Sequence, residues 1–383
     1  MAATEIQDIV KEIVETAEEL KPPQKPKKRW KRFVFWMVFI VAVGGAFAYT
    51  LVNDLTGAGS PSGMPELLSR YWWFLLFAIA AVFVCFLCRA FVYAIMMHLF
   101  TGKKRLRLCM SVTMLGKFYD SVTPLGTGSQ PFQIHHLQKN NTPDGVAIAL
   151  PIMEYTINRF SFVLISIAAI ILNAANVFGD NVGMNTAIYV AAIIGIVLNF
   201  GFPMLLIISL FSKKACRKLT RLFVTVAKCL RLTKDPCRLY KKIMSKLDAN
   251  ISCMKMFVKR KRLFFCFALS IGGRLAMASV GYFVLKAFGF GTLHGWGWAE
   301  IVVLNILIAN SVTFIPTPGN SGAADLSFYW VFNSVLLAST GVASGAVATL
   351  VWRGISYYSF ILIGFVLVMV IASKRKKMAR ANP

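Results

Sequence analysis

"NSVTFIPTPGNSGAAD", residues 310–325, interrupts the most apolar third of the chain with prolines, glycines and an aspartate where a membrane helix would carry leucines. A partial echo, "DSVTPLGTGSQPFQ", stands at 120–133. Proline removes a backbone donor and glycine weakens a helix, so both stretches read as breaks in otherwise helical segments. Irregular backbone is tolerated at membrane depth only where it is buried in protein or lines a wet cavity. The two breaks are therefore expected to line a site.

The surroundings of these breaks set the fold class. Of 383 residues, 57% are hydrophobic and 15% charged, more apolar surface than a soluble domain of this length can bury. Runs at 33–52, 72–99, 146–172, 187–211, 263–288 and 343–372 each approach or exceed the roughly 20 residues that cross a bilayer. The sequence thus predicts an all-α, polytopic integral membrane protein with about six full spans. No cleavable signal peptide is expected ahead of the first span, because the N-terminus is acidic and polar.

Charge placement orders those spans. The net charge of +26 is concentrated at 21–32, 103–107, 213–262 and 374–380, each cluster flanking an apolar run. Cytoplasmic loops retain Lys and Arg in this way, and anionic headgroups attract them. This placement argues for a membrane surface and against nucleic acid as the partner of the charge. The loops at 53–70, 174–186 and 289–299 share one basic residue, Arg70, and are assigned to the opposite side. Both termini then lie in the cytoplasm, and the location expected is the plasma or inner membrane. Segments 108–139 and 299–340 each enter and leave on one side, as re-entrant hairpins broken at the two stretches quoted above.

Each half of the chain then contains two spans, a broken hairpin and a third span, in opposite orientations. Ser121-Val122-Thr123 and Ser311-Val312-Thr313 stand at matching places. An inverted-topology repeat with broken segments near the midplane is a common way to build an alternating-access site. The expected organisation is an acidic amphipathic helix and basic linker (1–32), a first membrane repeat (33–173), a second repeat (174–372) and a basic tail (373–383). Thr4 and Gln7 fit a capping box for the first helix. The second repeat includes two basic amphipathic helices in 213–262, expected to lie on the inner leaflet.

Ionisable groups at membrane depth cost roughly 2.5–3.5 kcal/mol on insertion scales, so they mark functional or structural polar sites. Glu154, Arg159, Arg274, Arg353 and Asp325 are such groups, with Lys117 and Asp120 ahead of the first break. Arg89, nearer a cytoplasmic end, is expected to snorkel. Glu154 and Asp325 would either pair with Arg159, Arg274 or Arg353 to fix packing or leave the guanidiniums to grip a phosphate. Backbone N–H groups around Gly126, Gly128 and Gln130, and around Gly319, Asn320 and Ser321, would add anion-binding helix starts. The cysteines read as apolar filler, and His135-His136 as interfacial. No Walker loop, nucleophile elbow, HExxH or paired-cysteine metal signature occurs. The sequence predicts no catalytic residue, metal or cofactor.

"PLGTGSQPFQIHHL", "PIMEYTINRFSF", "PTPGNSGAADLSF" and "WRGISYYSFILIG" resemble, in this order, the membrane region of the lysylphosphatidylglycerol synthase/flippase family, which includes the multiple peptide resistance factor. The resemblance spans roughly residues 30–372. It implies transfer of an aminoacyl-phosphatidylglycerol from the inner to the outer leaflet, a role tied to antimicrobial-peptide resistance. In full-length members a separate cytoplasmic domain attaches the amino acid. This chain ends eleven residues after its last apolar run and is expected to lack that domain, so a separate synthase is an implied partner. Departures are "EYTINR", where an adjacent acidic–arginine pair is expected, and Asp325, where relatives often have glutamate. The expected function is a flippase for a phosphate-bearing lipid. The alternatives are a membrane subunit of an aminoacyl-phospholipid synthase and a non-transporting scaffold.

Overall fold

The computed structural model describes residues 70–123, 128–174, 186–211, 262–290, 297–313, 319–341 and 344–381, with single positions at 221 and 315. Side chains of 174, 186–188, 202–211 and 374–381 are not described. The expected N-terminal helix, the span at 33–52, the basic helices of 213–262 and Gly126 lie outside the described residues.

Among the described residues every regular element is helical. They are α1 (Trp73–Thr101), α2 (Leu106–Val122), α3 (Ser129–Lys139), α4 (Asp144–Ala174), α5 (Thr186–Phe211), α6 (Arg262–Ala287), α7 (Trp298–Ser311), α8 (Ala323–Thr340) and α9 (Gly345–Arg353). A π-helical turn (Gly354–Tyr358) then leads into α10 (Ser359–Ala381). Among the described residues, four segments are long and apolar enough to cross a membrane: α1, most of α4, α6, and α9 through α10 to Ser373. Helix α5 covers the fifth described run that the sequence predicts. The last span is not one uninterrupted α-helix, because the backbone widens at Gly354–Tyr358, where Ser359 N–H donates to the carbonyl of Gly354.

The two broken stretches are helix pairs. At ~1.5 Å per residue, α2 with 17 residues, α3 with 11, α7 with 14 and α8 with 18 each fall short of the ~30 Å apolar core. The order span, broken pair, span therefore occurs twice, as α1, α2–α3, α4 and again as α6, α7–α8, α9–α10. The repeated tripeptides do equivalent work. Thr123 Oγ1 donates to the Tyr119 carbonyl (2.7 Å) and Thr313 Oγ1 to that of Ala309 (2.8 Å), each satisfying a carbonyl at a helix end. Thr123 Oγ1 also accepts from Gly128 N–H (3.1 Å), which closes the first break. A Cβ on Gly128 would lie 2.3 Å from Thr123 Cγ2, so the closure requires glycine.

The equivalent spans α1 and α6 form the most extensive helix–helix contact in the described fold. Gly273 permits it, since a Cβ there would stand 3.0 Å from Cys88 Cβ. Small residues at such crossings let backbones approach closely. Around this pair, Val280, Leu304, Ile308, Phe328 and Phe332 fill one side. Met96, Met97, Leu150 and Met153 fill the other. Cys85, Cys109 and Cys266 are buried free thiols within this packing.

Candidate functional site

The close approach of α1 and α6 sets Arg89 beside Cys88 on one helix and Arg274 beside Gly273 on the other. Arg89 lies 12 residues before Thr101, Arg274 lies 12 after Arg262, Glu154 lies 10 after Asp144 and Lys117 lies 11 after Leu106. At 1.5 Å per residue each lies about 15–18 Å from the named end of its helix (the C-terminal end for Arg89, the N-terminal end for the others), near half the apolar thickness.

Arg89 does not snorkel. Its Nε and Nη2 donate to Glu154 Oε1 and Oε2 at 2.8 and 3.0 Å, and the carboxylate is 3% exposed. A bidentate pair of this kind outweighs a long reach to the interface. Glu154 therefore pairs with Arg89 and not with Arg159, Arg274 or Arg353, the partners expected from sequence. Asn158 Nδ2 adds a third hydrogen bond to Glu154 Oε1 (3.2 Å).

Arg274 instead donates through Nε (2.8 Å) and Nη2 to Asn158 Oδ1 and lies over the Phe162 ring at 4.6 Å. Arg159 donates to Asn199 Oδ1 (2.5 Å) and lies 5.1 Å over Tyr155. The amide of Asn199 passes the chain on to Asn310 Oδ1 and Thr313 Oγ1, both at 3.2 Å. Asn310 Nδ2 then donates to Ser166 Oγ (2.9 Å). A polar seam thus runs along α4 from Glu154 to Ser166 and reaches the second break at Thr313.

A second cluster forms where that break meets the last span. Gly319 (φ +58°), Asn320 (φ 55°) and Gly322 (φ 87°) hold the left-handed turn that starts α8. Asp325 Oδ2 accepts from Gly322 N–H (2.8 Å), and Asp325 Oδ1 accepts from Arg353 Nε. Arg353 is 6% exposed and lies over the rings of Trp352 and Tyr357 at 4.9 and 5.0 Å. Its Nη2 is buried with no hydrogen-bond partner among the described residues.

Tyr357 brings the two breaks together. Its hydroxyl donates to the carbonyl of Ser121 (2.8 Å) in the last turn before the first break, and its ring fills the space beside Gly319 in the second. One turn farther on, Phe360 carries the Lys117 ammonium 5.1 Å above its ring. Lys117 is within electrostatic reach of Arg89, Arg274 and Asp120, which ties the two clusters into one polar region. Asp120 lies near Ser129 at the start of α3, and its Oδ1 is buried without a hydrogen-bond partner among the described residues.

Of the residues singled out in the sequence, Asp325, Arg353 and Gly319 meet at Tyr357, while Glu154, Arg159 and Arg274 lie along the α4 seam. Gly128 closes the first break, and Gln130 sits half-buried in the first turn of α3. Asn320 and Ser321 belong to the turn before α8, and among the described residues neither side chain is hydrogen-bonded to the buried charges. Sequence reasoning missed Asn158, Asn199, Asn310 and Tyr357, and it put Arg89 at the interface. The signal available for the asparagines was the cost of an amide at membrane depth.

A family model described as "Lysylphosphatidylglycerol synthase TM region" matches residues 34–364. No curated protein matches the chain. No solved structure matches it either. With the match covering most of its length and membrane-length apolar helices throughout the described part, the chain is a multi-pass membrane protein belonging to the lysylphosphatidylglycerol synthase transmembrane-region family.

Proposed function

We propose that this protein moves a phosphate-bearing lipid between the two leaflets of the cell membrane, with both termini in the cytoplasm. The observation that carries this reading is an excess of positive charge at mid-membrane depth. Arg89, Lys117, Arg159, Arg274 and Arg353 face Asp120, Glu154 and Asp325, and only Arg89–Glu154 and Arg353–Asp325 form ion pairs among the described residues. Asn158 and Asn199 hold their arginines as neutral acceptors, so they orient the guanidiniums without cancelling the charge. An anion arriving there offsets that charge in surroundings where water cannot.

In this mechanism the lipid phosphate enters between the two breaks and takes hydrogen bonds from Lys117 Nζ and Arg353 Nη2, while the acyl chains stay in the bilayer. Asp325 holds Arg353 in place through Nε and leaves Nη2 available. Glu154 keeps Arg89 fixed between α1 and α4. Rocking of the two repeats about their shared contacts then opens the region toward either leaflet. The family description makes an aminoacyl-phosphatidylglycerol the first lipid to test.

The test is leaflet-resolved transfer of labelled aminoacyl-phosphatidylglycerol in proteoliposomes, comparing native protein, Arg353→Lys and protein-free vesicles. Lysine keeps a cation for Asp325 but lacks the second guanidinium nitrogen. A charged hydrogen bond of about 1.5–3 kcal/mol corresponds to a loss of roughly 10- to 150-fold. Native transfer no faster than in protein-free vesicles refutes the function, and an unaltered rate in Arg353→Lys refutes the role of Nη2.

A further inference from the structure

A second feature lies away from the buried charges, where the first broken pair meets the last span. Leu115 and Tyr119 of α2, Phe132 and His136 of α3, and Val368 and Ile371 of α10 line an open pocket of about 140 Å³. Its floor is sealed, since Leu115 is 5% and His136 7% exposed. One wall is rigid, because the Tyr119 and Phe132 rings stack at 3.6 Å with 5° between their planes. The surrounding flank belongs to the bilayer: Phe132, Val366 and Met369 are large, apolar and about half exposed.

We propose that this pocket seats an acyl chain of an anionic phospholipid and is the place where lipid docks before its headgroup reaches the first break. An apolar concavity facing the bilayer gains dispersion contacts when a hydrocarbon chain fills it. A cavity of about 150 Å³ lined by apolar side chains holds a benzene-sized group, so this one takes several methylenes. The choice of an anionic lipid comes from the rim. Helix α3 ends at exposed Lys139, and α10 continues past the pocket into Lys374, Arg375, Lys376 and Lys377. Such basic residues at the end of an apolar span attract anionic headgroups.

The pocket also leads to the candidate site. The carbonyl of Tyr119 accepts from Thr123 Oγ1 at the first break, and Asp120 follows directly in sequence. A lipid held by its chain at Tyr119, with its headgroup toward those basic helix ends, lies next to the start of the polar region. Docking of the chain stands by itself, whereas its role as an entry point rests on the transport reading.

The experiment uses the full chain in nanodiscs with photoactivatable phosphatidylglycerol or phosphatidylcholine, each carrying a diazirine on one acyl chain. Adducts are mapped by mass spectrometry in native protein, in Ala372→Trp, which fills the pocket, and in Ile363→Trp, an exposed control outside it. The expected result is labelling of 115–132 and 368–372 that is several-fold stronger with the anionic lipid. It is lost in Ala372→Trp and retained in Ile363→Trp. Labelling spread evenly over the lipid-facing helices overturns the pocket, and equal labelling by both lipids overturns the choice of an anionic one. In parallel proteoliposomes, transfer slowed several-fold by Ala372→Trp alone supports the entry role. Pocket labelling alongside no native transfer leaves the docking site standing and overturns the transport reading.

Discussion

Replacing Gly319 by alanine probes the meeting of the two breaks most sharply. Two costs add at this position. At φ +58° a side chain sits in the left-handed region, at about 1–2 kcal/mol. The new methyl would also stand 2.2 Å from Tyr357 Cε2 and 2.6 Å from its hydroxyl oxygen. That ring cannot simply swing away, because its hydroxyl is held 2.8 Å from the Ser121 carbonyl. Forced overpacking of this kind costs about 1–3 kcal/mol, for a total near 2–5 kcal/mol. In a Tyr357→Ala background the steric part disappears and only the backbone part of about 1–2 kcal/mol remains. A double-mutant cycle, read by detergent-titrated unfolding in mixed micelles, should therefore return a coupling of about 1–3 kcal/mol. Additivity within ~0.5 kcal/mol would show that Gly319 and Tyr357 are not in contact and would refute the reasoning.

The same unfolding assay checks the seam. Glu154→Gln leaves Arg89 buried without its counter-charge and should destabilise by about 3–5 kcal/mol, with Arg89→Met added to it recovering much of the loss; no recovery would mean the pair is not what holds α1 to α4. Asn199→Leu removes the acceptor of Arg159 and the donor to Asn310 and Thr313, at an expected cost of about 1–3 kcal/mol. An unchanged midpoint for this variant would contradict the hydrogen-bonded chain between α4, α5 and the second break.

The apolar runs and the proline-glycine interruptions are enough to locate every described span and both broken pairs along the chain, because span length obeys a rule that needs no partner information. Prolines and glycines at 124–128 and 316–322 mark the breaks for the same reason: their effect on a helix is local. The repeated Ser-Val-Thr tripeptide is legible as position, while the capping by Thr123 and Thr313 becomes visible only in three dimensions. Pairing is harder to read. Arg89 looks like an interfacial residue when its distance along the helix is all that is known. Its actual partner, Glu154, depends on how α1 and α4 are rotated. Asn158, Asn199 and Asn310 carry no formal charge to draw notice, although they connect the arginines to the second break. The π-helical turn at Gly354–Tyr358 lacks a proline or a second glycine to announce it, so the role of Tyr357 as the contact between the breaks is out of reach of the sequence.

The central claim, that uncancelled cations between the breaks receive a lipid phosphate, is tested most directly through Lys117. Among the described residues its ammonium makes no ion pair and rests over the Phe360 ring. Initial transfer rates should be measured for labelled phosphatidylglycerol and for a labelled glucosyl diacylglycerol, which has no phosphate, with native protein and with Lys117→Met. The account predicts fast transfer of the phospholipid by native protein, a roughly tenfold or greater fall in Lys117→Met, and glycolipid transfer at the protein-free rate in both. Equal rates for the two lipids, or a phospholipid rate unaltered by the loss of the ammonium group, would contradict it.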